Sequence, residues 1–128
     1  MLLAEALHQK QVDPVLGLLG SPYLHGGSDP KTGIDCWGLV MHLYRSRGIE
    51  LPDYRNGSIS SIPDQWHAVL LMATDPATLY VVTFKGAFSH VGILYDGKVI
   101  HSRDPIGVVI SPISRIKHRL KGVYQWIS

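Results

Sequence analysis

The chain contains a single cysteine, Cys36, and two histidines, His90 and His101, placed so that a thiol and a pair of imidazoles could meet. Cys36 follows Asp35, a good helix N-cap, and precedes an apolar stripe at Leu39, Val40, Leu43 and Tyr44. It therefore falls in the first turn of a helix over 36–47, which Gly48 stops and Pro52 follows. Unpaired backbone N–H groups and the positive end of the helix dipole favour an anion there, which predicts a thiol pKa below its usual value of about 8.5. Gly38, two residues on, lets a substrate or a packed strand come close. A lone cysteine makes no internal disulfide, and three readings follow: a small buried hydrophobe, a metal ligand or a nucleophile.

The histidines belong to a predicted hairpin. Asp96-Gly97 lies between two apolar runs, a strong signal for a two-residue turn that pairs Tyr95 with Lys98, Leu94 with Val99, Ile93 with Ile100 and Gly92 with His101. Side chains alternate along a strand, so His90, Gly92 and Leu94 share a face, and the pairing brings His101 to it opposite Gly92. His90 and His101 become diagonal neighbours, roughly 7–8 Å apart at the backbone, with only a glycine between them.

If that face meets the start of the Cys36 helix, His90 takes the thiol proton and His101 orients the His90 ring through its other nitrogen. Attack on a carbonyl, protonation of the leaving amine by His90 and hydrolysis of the acyl-enzyme would follow, with the Cys36 N–H available to the oxyanion. Two other readings use the same residues: ordinary sheet histidines, and a zinc site of Cys36, His90 and His101, which lacks a close ligand pair such as C-x-x-C.

The elements that must position these groups read as helices first and strands afterwards. Apolar residues at 2, 3, 6 and 7 predict a short helix over Leu2–Lys10, ended by Pro14. Gln65–Ala73 fits a helix or a strand equally. Strands are predicted at Leu79–Phe84, Val91–Tyr95, Lys98–Ser102, Gly107–Ile110 and Lys121–Ile127. This order gives an α+β domain with an antiparallel sheet of about five strands, one domain over residues 1–128. The cations Arg115, Lys117, Arg119 and Lys121 alternate with other residues and would share one face of an edge strand. His8, His25, His42, His67 and His118 have no partner at informative spacing, and Trp37, Trp66 and Trp126 read as core.

The motifs taken together resemble the NlpC-type cell-wall cysteine peptidases, a papain-like family. The matching stretches are Ser21-Pro-Tyr-Leu-His-Gly-Gly, Gly33-Ile-Asp-Cys-Trp-Gly-Leu-Val, Ser89-His-Val-Gly-Ile-Leu-Tyr and Val99-Ile-His-Ser. The resemblance implies a papain-like fold without a cofactor or metal, Cys36 as nucleophile, His90 as base and His101 as the third polar residue. It also implies cleavage of peptidoglycan stem peptides, of the bond from D-glutamate to a diamino acid. Asp35, Ser89 and Tyr23 then stand where substrate-binding residues occur, although helix capping accounts equally for Asp35. Asp-Cys-Trp replaces the usual Asp-Cys-Ser, and Asp75-Pro-Ala-Thr-Leu-Tyr replaces a Gly-Asp strand start. With Tyr44-Arg45 and Gly48-Ile-Glu-Leu-Pro, the helix region is most similar to peptidase modules of phage tail-tip assembly proteins, which implies phage tail proteins as partners. A catalytically silent tail-assembly or cell-wall-binding module on the same fold is the corresponding alternative.

Composition sets the outer bounds. With 128 residues, 45% hydrophobic and 17% charged, the chain can bury a core, and a net charge of +2 gives no electrostatic ground for nucleic-acid binding. The longest apolar runs, Val15–Leu19 and Ala68–Ala73, are far shorter than the ~20 residues of a membrane-spanning helix. The N-terminus carries Glu5 and no basic leader, so it does not read as a signal peptide. The expectation is synthesis in the cytoplasm, with placement in a virion tail or delivery to the periplasm or cell wall.

Overall fold

The structure, a computed structural model, describes residues 17–52 and 65–127, and of residues 87–89 the backbone only. The helix expected over Leu2–Lys10 lies outside the described residues. A ribbon of two short strands, β1 (Ser28–Asp29) and β2 (Gly33–Ile34), leads directly into the helix α1 (Cys36–Arg45). The remaining strands are β3 (Trp66–Ala68), β4 (Tyr80–Phe84), β5 (Ala87–Tyr95), β6 (Lys98–Arg103), β7 (Gly107–Pro112) and β8 (Leu120–Trp126). They form one antiparallel sheet in the order β3-β8-β4-β5-β6-β7.

This is the α+β architecture expected, with six strands in the main sheet instead of about five. The additional strand comes from the ambiguous stretch Gln65–Ala73, which divides into β3 and a 3-10 turn at Leu71–Ala73. Trp66 explains the strand: its buried indole meets Tyr44 edge-on at 5.6 Å and Trp126 at 4.9 Å, and its backbone pairs with that of Trp126.

Period-two alternation gives the sheet two apolar faces. Val81, Val91, Ile93 and Ile100 pack with Leu39, Val40 and Leu43 of α1, whereas Tyr80, Val82, Phe84, Leu94, Val99 and Val123 form a second core on the opposite side. The second core takes in Ile113 and Ile116 of a short helix α2 (Ile113–Ile116), which a 3-10 turn at Lys117–Arg119 follows. This corrects the expectation of four cations on one strand face: Arg115 belongs to α2, Lys117 and Arg119 to the turn, and only Lys121 to a strand. The stronger signal is the three-residue spacing of Ile113 and Ile116, both packed into the second core, which suits a helical turn and not a pleat.

Helix α1 starts where expected and ends two residues earlier, at Arg45. Ser46 caps it, and Gly48 takes the left-handed conformation (φ +79°) that turns the chain back, so that the Ile49 N–H reaches the Tyr44 carbonyl. The hairpin has the expected register at Tyr95–Lys98, Leu94–Val99 and Ile93–Ile100. Asp96 and Gly97 both have positive φ, as a type I′ turn requires.

Candidate active site

Asp35 connects the loop before α1 to the helix. Its backbone is extended, its Oδ1 accepts the Gly38 N–H at 2.7 Å as the N-cap, and its Oδ2 accepts the Gly26 N–H at 2.9 Å. The preceding residue is held from two sides: the Ile34 N–H donates to the Pro22 carbonyl, and the buried Ser102 hydroxyl donates to the Ile34 carbonyl at 2.6 Å. Ser102 lies next to His101 on β6. One strand therefore supplies a histidine to one face of the sheet and, from the adjacent residue, a hydroxyl that fixes the start of the cysteine helix.

Cys36 is partly buried against the α1-side core, and its sulfur accepts the backbone N–H of Val91, the residue after His90. The body of α1 covers the Val91, Ile93 and Ile100 face, while Phe84 and Leu94 lie on the other. The β4–β5 ladder is broken beside the site. Thr83 pairs with Val91 and Phe84 with Ala87, so residues 88–90 of β5 bulge out with no partner on β4. Such a bulge re-aims side chains and bends its strand, and His90 sits in it beside the N–H that binds the sulfur.

His90 Nε2 and His101 Nδ1 are 2.8 Å apart. The convergence read from the hairpin is present, and Gly92 is what permits it: a Cβ there would stand 3.0 Å from the His101 Cβ and from the Ile100 carbonyl. Both rings also rest on the buried Phe84, with centroids at 4.6 Å from His90 and 5.1 Å from His101, the latter stacked at 25°. Sequence reasoning missed Phe84 and Ser102. The hairpin register contained the signal for Ser102, since alternation sends it to the side opposite His101, toward α1.

The electrostatics correct one expectation. The Cys36 thiol pKa is raised, first by burial, against which the Val91 N–H works; the Asp35 carboxylate raises it further, and the N–H groups of Trp37 and Cys36 lower it. Burial and the neighbouring carboxylate outweigh the helix N-terminus, so the resting sulfur is a neutral thiol. Both imidazoles are pushed down to about 4, by burial first, then for His90 by Arg103 and Arg119, and for His101 by His90 and the same two arginines. At neutral pH the pair is uncharged.

Tyr23 is half-buried, and its pKa is raised by burial and then by Cys36, Asp104 and Asp35, which puts the phenol on the cysteine side of the site. The side chain of Ser89 lies outside the described residues. Trp37, in place of the usual serine, is buried in the α1-side core and donates its indole N–H to the Pro52 carbonyl at 3.3 Å. Among the described residues, no group of three or more His, Cys, Asp and Glu is arranged to hold a metal ion, Cys36, His90 and His101 included.

A sequence profile described as the NlpC/P60 family matches residues 20–123. The chain is 35% identical over 92 residues to the bifunctional muramidase/DL-endopeptidase CwlT of Bacillus subtilis, a match covering 66% of this chain and 26% of that protein. It is 32% identical over 103 residues to the gamma-DL-glutamyl hydrolase of the same organism, covering 75% and 23%. The chain thus spans about a quarter of the length of these relatives. Among solved structures, it superposes on an NLP/P60-family protein similar to a lipoprotein from Staphylococcus aureus with a TM-score of 0.67 and 26% identity, over 93% of this chain and 42% of that one. The NlpC/p60 domain of the peptidoglycan hydrolase SagA gives a TM-score of 0.61 at 21% identity, over 88% and 93%, a likeness of fold alone. The profile covers both the Asp35-Cys36 helix start and the two histidine strands, and on that extent the chain belongs to the NlpC/P60 family.

Proposed function

We propose that the domain is a cysteine endopeptidase that hydrolyses peptide stems of bacterial peptidoglycan, with Cys36 as nucleophile, His90 as general base and acid, and His101 as the residue that orients His90. The observation that carries this reading is the 2.8 Å bond between His90 Nε2 and His101 Nδ1, made beside the strand N–H that binds the Cys36 sulfur.

The hydrogen bond dictates the proton positions. For His90 Nδ1 to accept the thiol proton, the ring's own proton must sit on Nε2 and be donated to His101 Nδ1, with the His101 proton then on its Nε2. The same bond persists when His90 becomes imidazolium, so His101 supports both states without moving. Because thiol and imidazole are both neutral at rest, proton transfer accompanies attack on the carbonyl. The charge that develops on the oxyanion meets the N–H groups at the start of α1. His90 then gives its proton to the leaving amine, and water releases the acyl group from the sulfur.

The names of the Bacillus subtilis relatives, a DL-endopeptidase and a gamma-DL-glutamyl hydrolase, support the D-glutamyl to diamino acid bond as the one cleaved. The motif from Asp35 to Val40, with Gly48-Ile-Glu-Leu-Pro, supports placement in a phage tail that carries the enzyme to the cell wall. Incubation of purified muropeptides with the wild type and with Cys36→Ala, read by mass spectrometry, tests the activity. Cleavage that vanishes in the variant is the expected result. Equal products from both proteins would remove Cys36 as nucleophile, and no products from either would leave a silent module.

A further inference from the structure

The two sides of the site differ in charge. On the cysteine side stand Asp35, Asp104 and Tyr23. On the histidine side stand Arg103 and Arg119, brought there by separate elements. Arg103 is two residues beyond His101 on β6 and therefore on the same face, at the exposed end of the strand. Arg119 ends the 3-10 turn beneath the second core. Its carbonyl accepts the Lys85 N–H at 2.9 Å, and the next residue, Leu120, pairs with Phe84, whose ring touches both imidazoles. Both arginines are exposed, and neither forms an ion pair with a described residue. Their charge reaches both rings. Two unpaired guanidiniums beside an uncharged catalytic pair make that pair less basic, a disadvantage for a general base unless they serve the substrate.

We propose that Arg103 and Arg119 form a carboxylate-binding rim on the leaving-group side of the site, so that the residue released as the amine product carries a free carboxylate close to the scissile bond. This rests on the peptidase reading above. The histidine that protonates the leaving amine must face the leaving residue, so cations bordering that histidine border the leaving residue too. Guanidinium is suited to the task, because its planar fork matches a carboxylate with two parallel hydrogen bonds.

The test measures binding, not turnover, and uses Cys36→Ala so that no probe is consumed. Two synthetic peptides are titrated calorimetrically: L-alanyl-γ-D-glutamyl-diamino acid with the diamino acid carboxyl free, and the same peptide with that carboxyl amidated. The acid is expected to bind about tenfold tighter than the amide, with the ratio falling to near one when Arg103→Gln and Arg119→Gln are added, and partly restored by lysine at both positions, a point charge without the fork. Equal binding of the two peptides, or a ratio that survives the double glutamine substitution, overturns the rim while leaving the peptidase reading intact. Absence of binding by either peptide overturns both. Melting curves of each variant establish that the comparison is between folded proteins.

Discussion

His90 and His101 differ in what substitution removes. His90→Ala deletes the proton acceptor, so kcat/KM falls by at least about 10²–10⁴-fold, the usual worth of a positioned general base. His101→Gln keeps a side-chain oxygen that can accept the His90 Nε2–H, and retains partial activity, whereas His101→Phe keeps the ring volume against Phe84 and loses the acceptor. The expected order of kcat/KM on a defined stem peptide is wild type, Gln, Phe; equal rates for Gln and Phe would mean that His101 only fills space. The convergence of these rings was legible in the sequence, since Asp96-Gly97 sets the register and Gly92 leaves the gap. The state of the sulfur was not. A helix N-terminus argues for a low thiol pKa, but burial and the carboxylate of Asp35 depend on how the loop at 20–27 folds over the helix start, and no local pattern encodes that.

Asp35 and Ser102 act at the scale of elements: Asp35 ties the loop at Gly26 to the start of α1, and Ser102 ties β6 to Ile34, far away in sequence. Asp35→Asn keeps an oxygen for the Gly38 N–H, sets its amide nitrogen against the Gly26 N–H at a cost of about 1–3 kcal/mol, and removes the negative charge that raises the Cys36 pKa, so the thiol should be alkylated faster by iodoacetamide at pH 7. Asp35→Ala removes the cap and costs about 0.5–2 kcal/mol. An alkylation rate in Asp35→Asn at or below wild type would contradict the charge effect. Ser102→Ala leaves the buried Ile34 carbonyl without its hydroxyl donor, at about 1–3 kcal/mol in denaturant unfolding. It also loosens the start of α1 relative to β6, so turnover should fall more than the stability loss accounts for. Helix α1 and the hairpin were readable because caps, apolar stripes and turn residues are local. Strand β3 and helix α2 were not, because three or four residues carry too short a period. Trp66 becomes a strand through packing on Tyr44 and Trp126, and Ile113 and Ile116 become a helical turn through burial in the second core.

For the whole molecule, the histidine pair links chemistry to folding. Both imidazoles stay neutral in the folded protein down to pH of about 4, whereas in the unfolded chain they take up protons near 6.5. Between these values the unfolded chain binds more protons, so stability rises with pH across the window. The contribution is fully present above about 6.5 and is lost as pH falls toward 4. The melting temperature should therefore decline steadily from pH 7 to pH 4, and the decline should be shallower in a His90→Gln, His101→Gln double variant, which lacks these two imidazoles. Added salt screens the exposed Arg103 and Arg119 but leaves burial, the first cause of both shifts, unchanged, so most of the slope should survive 0.5 M NaCl, where the Debye length is only about 4 Å. A slope shared by wild type and double variant would assign the acid lability to other groups. The same protonation ends catalysis, since a charged His90 cannot accept the thiol proton, and the acid limb of kcat/KM is expected near pH 4. Activity and fold should thus fail together on acidification.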